Sequence, residues 1–354
     1  MLNLFDYERA AAERIAEPAL GYLNGGANDE ITLRANRAAF DAIAIRYRTM
    51  VDVSTRALGT SVLGAAVAFP VLIAPTAMQR LVHPDGECAT ARAAERVGTV
   101  MVVSTTATVG LAEVCAASDA PKWFQCYIYR DRGVTRALLE RARDAGYKAM
   151  VLTVDAPLLG RRERDMRGGF HLHDGLRLPN AEAVGEAELP EIAGDSALHQ
   201  HLARTHDSAV TEKDVTWIRD VTKLPLIVKG VVRGDDAQRA VDHGATGIVV
   251  SNHGGRQLDT AVAAIRALPE VVAAVADRAE VYVDGGVRRG TDVVKAIALG
   301  ARAVMVGRPV LWGLAVNGEQ GVVDALTLLR DEIDLAMALC GCRSVSEITR
   351  DLIA

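Results

Sequence analysis

The sequence predicts an α/β chain folded as a TIM-type (β/α)8 barrel, with an N-terminal helical extension and a long loop after the fourth strand. Three observations predict it. A unit recurs in which a helical stretch ends at a glycine and an apolar, β-rich run follows within a few residues, as at Gly98, Gly146, Gly244 and Gly300. Similar runs bring the candidates to the eight that such a barrel requires. The runs lack polar alternation, as expected of parallel strands covered on both faces, and they end in polar residues.

The first four candidate strands are 69–74, 100–104, 123–128 and 149–155; the last four are 225–229, 247–251, 281–284 and 303–307. Helical stretches separate many of them, at 132–145, 235–243, 261–275 and 290–299. The glycines suit helix ends because a helix C-cap often needs a positive φ. Two segments stand outside the repeat. Residues 1–68 form an extension, with helices and a hairpin expected around Thr55–Thr60. Residues 161–213 are polar and far longer than an ordinary connection between a strand and a helix, as expected of a lid loop, a disordered span or a short subdomain. The whole of 1–354 is expected to be one domain.

Composition narrows the function. The net charge is −5, which gives no support to nucleic-acid binding or a polybasic membrane anchor. No apolar stretch approaches the ~18–20 residues that span a bilayer. The N-terminus lacks a basic segment followed by an apolar one, and the C-terminus lacks a peroxisomal address. Five scattered cysteines suggest reduced thiols in a cytoplasm. The histidines of the long loop (His171, His173, His199, His201, His206) form no set with cysteine or carboxylate partners, so no metal is expected.

In such a barrel the chemistry gathers at the C-terminal ends of the strands. Here those ends carry Pro75-Thr76-Ala77, Ser104, Gln125 with Tyr127, Thr153 with Asp155, Lys229, Ser251 with His253, Asp284-Gly285-Gly286 and Gly307-Arg308. The last two ends combine glycine amides, helix starts and arginines, including Arg288, where the fold commonly holds a phosphate. No G-x-G-x-x-G follows a strand, so a Rossmann-type nicotinamide site is unsupported.

The stretch Ser251-Asn-His-Gly-Gly-Arg-Gln-Leu-Asp259 closely resembles the signature of the FMN-dependent 2-hydroxy acid oxidases and dehydrogenases. Segments 74–79, 83–87, 123–127, 152–155, 160–162, 228–230, 284–288 and 307–309 resemble the family's motifs in order, over nearly the whole chain. The resemblance implies that Pro75, Thr76, Ala77, Ser104, Gln125, Thr153, Lys229 and Ser251 hold FMN. Asp284, Gly285, Gly286, Arg288, Gly307 and Arg308 would face its phosphate. It assigns the substrate to Tyr22, Tyr127, Arg162 and Arg256, and makes His253 the base. It also implies a homo-oligomer, a tetramer or octamer.

The residue types suit oxidation of a 2-hydroxy acid. An arginine fork binds a carboxylate through two parallel hydrogen bonds that lysine cannot reproduce. Arg256 stands three residues beyond His253, so one turn can present both. Histidine has the right basicity near pH 7, and Asp155 would orient it and stabilise its cation. Tyr127 can hydrogen-bond the substrate hydroxyl or the oxyanion. The motif is compatible with removal of either the α-proton or the hydroxyl proton. Thr106 stands where the glycolate-oxidase branch has tryptophan, which suggests a substrate bulkier than glycolate, such as mandelate or lactate. Oxygen is the expected electron acceptor, giving hydrogen peroxide. The alternatives are a dehydrogenase with another acceptor, a peptide-modifying relative, an FMN-binding isomerase of the isopentenyl-diphosphate type and a non-catalytic flavin-binding barrel.

Overall fold

A computed structural model describes residues 1–169, 176–183 and 204–354. The N-terminal extension contains helices α1 (Leu4–Ala12), α2 (Glu17–Asn24) and α3 (Ile31–Asp41), followed by a hairpin of β1 (Thr60–Val62) and β2 (Ala65–Val67). Eight parallel strands then close into a barrel: β3 (Val71–Ile73), β4 (Met101–Val103), β5 (Lys122–Cys126), β6 (Ala149–Thr153), β7 (Leu226–Val231), β8 (Gly247–Val250), β9 (Glu280–Asp284) and β10 (Ala303–Val306). Each pairs with its neighbours in chain order, and β10 returns to β3 with Val306 beside Ile73. All eight expected strands are present. Gly98 and Gly146 cap their helices in the left-handed conformation, at φ 72° and 100°.

The barrel is packed rather than hollow at its lower end. Leu72, Val102, Trp123, Val151, Ile227, Tyr282 and Met305 form an inner apolar cluster, with the Trp123 and Tyr282 rings edge to face at 5.7 Å. Val62 and Val67 of the hairpin join it, and Leu63 packs against it. The hairpin therefore plugs the N-terminal end. It does not lie around Thr55–Thr60 as expected. Its two-residue turn is Leu63-Gly64, with φ 46° and 81°, the positive pair that a tight hairpin turn demands. Leu63 can hold that conformation because its amide donates to Glu280 Oε2 at 3.0 Å, a partner remote in sequence.

The extension is tied to the other end. Asp259, at the close of the 251–259 motif, accepts hydrogen bonds from the amides of Asp29, Ile31 and Thr32, and so caps the start of α3 from across the chain. A carboxylate at a helix N-terminus satisfies amides that have no helical partner. Asp259→Ala is expected to destabilise the protein by about 1–2 kcal/mol. Urea unfolding followed by circular dichroism checks this; an unchanged midpoint would refute it.

Within the lid loop, Glu163–Arg167 and Pro179–Glu182 are short helices. The other loop histidines considered above lie outside the described residues; His206 lies within them. Among the described residues, no group of three or more His, Cys, Asp or Glu side chains could hold a metal ion. The five cysteines are free. No described helix is long and apolar enough to cross a membrane.

Candidate active site

The C-terminal strand ends surround a cavity of about 1130 Å³, counting its solvent-open mouth. Its wall includes Pro75, Thr76, Ala77, Ser104, Thr106, Gln125, Tyr127, Thr153, Arg162, Lys229, His253 and Arg256. Tyr22 reaches the same wall from α2, and the turns carrying Gly285, Gly286, Arg288, Gly307 and Arg308 complete it. Residues separated by nearly the whole chain thus meet as the motif order implied.

The turn after β8 is built for close approach. His253, Gly254 and Gly255 all have positive φ, at 59°, 64° and 78°. For histidine this conformation is strained, and the surroundings hold it. The His253 amide donates to Ser251 Oγ at 3.0 Å, and its Nδ1 meets Asp155 Oδ1 at 2.8 Å. With Nδ1 committed to a carboxylate, Nε2 is the nitrogen left to take a proton. Burial pushes the His253 pKa below its ordinary value of 6.5, against the pull of Asp155. Burial would raise the Asp155 carboxyl, but His253 and Lys229 outweigh it and hold that pKa below the ordinary value. The pair is therefore a neutral imidazole beside a carboxylate at neutral pH.

Two expected site residues sit one layer behind the wall. Asp155 backs His253, while Ser251 accepts from both the His253 amide and Lys229 Nζ, the latter at 3.0 Å. Ser251, expected at the cofactor, is fully buried and stands behind the residues that line the cavity. Asp284 lines the same cavity. Its carboxylate pairs with Lys229 at 3.0 Å. Burial would lower the Lys229 pKa; Asp284 and Asp155 raise it, so the lysine stays cationic. A register shift in β7 between Lys229 and Val231 helps aim this lysine. Gly230, at φ 106°, has no room for a side chain: a Cβ there would lie 2.6 Å from Asp155.

Arg162, Arg256, Arg288 and Arg308 converge on the cavity, and none of them makes a salt bridge to a carboxylate among the described residues. Arg308 donates to the carbonyls of Leu23, Gly254 and Gly25, and burial together with the other arginines drives its pKa far down. Arg162 is pushed down to about 10 by burial and by Arg256; Arg288 is also pushed down to about 10, chiefly by burial. Like charges converging in a buried site call for anionic ligands. Gln125 points the same way. Its Oε1 accepts from Ser104 Oγ and the Thr105 amide, while its buried Nε2 has no partner among the described residues. A flavin phosphate, an imide edge seeking donors and a substrate carboxylate fit these groups.

The profile described as FMN-dependent dehydrogenase matches residues 11–354. The chain belongs to this family. It is 53% identical over 351 residues to the L-lactate oxidase of Nostoc sp., covering 98% of this chain and 96% of that one. It is 48% identical to the glycolate oxidase of Spinacia oleracea, covering 99% and 95%. A mandelate oxidase crystal structure with (S)-4-hydroxymandelic acid superposes with a TM-score of 0.95 at 44% identity, covering 100% of this chain and 98% of that one.

Some supporting residues have roles that the sequence pattern did not show, two of them inside the 251–259 motif. Asn36 of α3 and Asn252 exchange two amide hydrogen bonds of 2.8 Å, and Asn252 also binds the Gly255 amide at 3.1 Å. Gln257 joins the carbonyls of Asp155 and Leu158 to the Gly160 amide and to Arg162. These amides set the turn after β8 relative to its neighbours. Their partners are far off in the chain, so spacing alone could not reveal them.

Proposed function

We propose that this member of the FMN-dependent dehydrogenase family oxidises an (S)-2-hydroxy acid to the 2-oxo acid and passes the electrons to oxygen, giving hydrogen peroxide. The observation that carries this reading is His253, fixed by Asp155, in one cavity with arginines that make no salt bridge to a carboxylate among the described residues. Pro75, Thr76, Ala77, Ser104, Gln125, Thr153, Lys229 and Ser251 would hold FMN, with its phosphate against Asp284, Gly285, Gly286, Arg288, Gly307 and Arg308. When bound, FMN supplies the two-electron acceptor.

Arg256 and Arg162 bind the substrate carboxylate and orient the α-carbon. Tyr127, with Tyr22 beside the carboxylate, donates to the substrate oxygen. His253 Nε2 accepts the proton that leaves the substrate, and Asp155 stabilises the imidazolium that results. Lys229 adds a fixed positive charge to the wall. The protein acts in this reading as a cytoplasmic homotetramer or homo-octamer, consistent with free thiols and with the exposed Leu335 and Leu339 on the last helix.

Anaerobic mixing of the yellow protein with (S)-mandelate, (S)-lactate and glycolate tests the reading. Bleaching of the flavin that air reverses is the expected result. Retention of colour with every acid would overturn it, and bleaching that air fails to reverse would replace oxygen with another acceptor.

Thr106 is a small residue on the cavity wall, hydrogen-bonded to Ser104 Oγ at 3.1 Å. A bulky substrate side chain can lie over it. Thr106→Trp is expected to lower the mandelate-to-glycolate ratio of kcat/KM by about tenfold or more, through overpacking against the larger substrate. An unchanged ratio would reject this role.

A further inference from the structure

We infer that His206 is a positioning residue for Tyr127, setting the plane of the tyrosine ring from behind the cavity wall. The inference rests on the proposed role of Tyr127 as a hydrogen-bond donor to substrate. The imidazole of His206 stacks on the Tyr127 ring, with centroids 4.8 Å apart and an interplanar angle of 29°. It meets the Tyr129 ring edge-on at 5.1 Å and 78°. His206 is thus wedged between two tyrosines, and it is 7% exposed.

The backbone fixes that wedge. Tyr129 and His206 form an antiparallel bridge beyond the end of β5. The Arg130 amide donates to the Thr205 carbonyl at 2.8 Å, and the Asp207 amide donates to the Ile128 carbonyl, also at 2.8 Å. Arg132 holds Asp207 at 2.7 Å and Asp214 at 3.2 Å. In such a pairing the residue facing His206 is Tyr129, and Tyr127, two residues earlier, lies on the same face as its diagonal neighbour. A change of one residue in register would turn the imidazole to the other face.

Tyr127 needs such a support. Its amide donates to Thr105 Oγ1 at 3.3 Å, but no described residue hydrogen-bonds its hydroxyl. Backbone anchoring leaves the ring free to rotate about its side-chain bonds. The aim of the hydroxyl therefore depends on what packs against the ring face. An offset aromatic stack is directional, whereas an aliphatic contact is not. Because a misplacement of about 1 Å can cost about a hundredfold in rate, a stack that restrains the ring affects turnover without touching the substrate.

The test compares His206→Ala, which removes the stack, with His206→Phe, which keeps it. Each is made in the wild-type protein and in Tyr127→Phe. His206→Ala is expected to slow flavin reduction at saturating substrate by about tenfold or more, with KM and FMN affinity changed less than about twofold. His206→Phe should recover most of that rate. In the Tyr127→Phe background His206→Ala should cost less than about twofold, because there is no hydroxyl left to aim. An equal loss in both backgrounds would make His206 a general structural support and overturn the inference; so would the absence of any loss.

A second readout does not need turnover. In protein labelled with 3-fluorotyrosine, the Tyr127 fluorine resonance is assigned by its loss in Tyr127→Phe. It should move and broaden in His206→Ala and sharpen again in His206→Phe. An unmoved resonance in His206→Ala overturns the stack. Should the wild-type protein reduce its flavin with no 2-hydroxy acid, the functional reading fails while this resonance still decides the stack.

Discussion

His253→Asn is expected to lower kcat/KM for the best 2-hydroxy acid by about 10²–10⁴, the range over which a positioned base acts, with FMN binding retained. Asparagine keeps a polar side chain at a position already strained at φ 59° and favours that conformation more than most residues do. It cannot accept the proton. Stopped-flow flavin reduction is the measurement, with flavin absorbance confirming occupancy. A loss below about tenfold would remove His253 from the role of base.

The same residue sets the pH profile. Burial depresses the His253 pKa below 6.5, so the imidazole is neutral and competent at neutral pH. The kcat/KM of the enzyme should rise with pH along a limb whose midpoint lies below 6.5, and activity should fall as pH drops through it. The linked stability has the same sign. Below 6.5 the unfolded chain takes the proton first, so this group costs stability as pH falls toward the folded pKa. Asp155 works against the depression. Asp155→Asn should therefore move the limb to still lower pH while lowering the plateau, because the imidazolium loses its stabilising charge. A limb that moves to higher pH would contradict the Asp155–His253 assignment.

The barrel was legible because buried parallel strands write themselves as apolar runs and their helices end on glycines. The site was legible where one turn holds consecutive functional residues, as at 251–256. A carboxylate at the end of another strand made Asp155 the expected partner of His253, and the two meet at 2.8 Å. The hairpin was misplaced because its turn depends on Glu280, more than two hundred residues away. Asn36 lies 216 residues from Asn252 and carried no local pattern. His206 looked like one more histidine in a polar loop, since only the antiparallel pairing with Tyr129 shows which face it occupies.

The four arginines should separate by function. Arg256 donates to the carbonyls of Tyr22 and Gly25 and lies over the Tyr22 ring at 4.9 Å, on the same turn as His253. Arg308 shares the Gly25 carbonyl but stands at the start of a helical stretch, Arg308–Leu339, broken by a kink at Asn317 and Gly318, and helix-start amides favour a phosphate. Arg256→Lys keeps the charge and loses the fork. It is expected to lower kcat/KM by about a hundredfold or more, as loss of a desolvated hydrogen-bonded charge pair does, while FMN affinity changes little. Arg308→Lys should show the reverse pattern, with weaker FMN binding and, once flavin is saturating, a smaller loss in kcat/KM. Flavin release followed by fluorescence and steady-state kinetics at excess FMN measure both. Equal effects of the two variants on flavin affinity would mean that the arginines act as one undivided anion site, and would take from Arg256 its place as the carboxylate clamp.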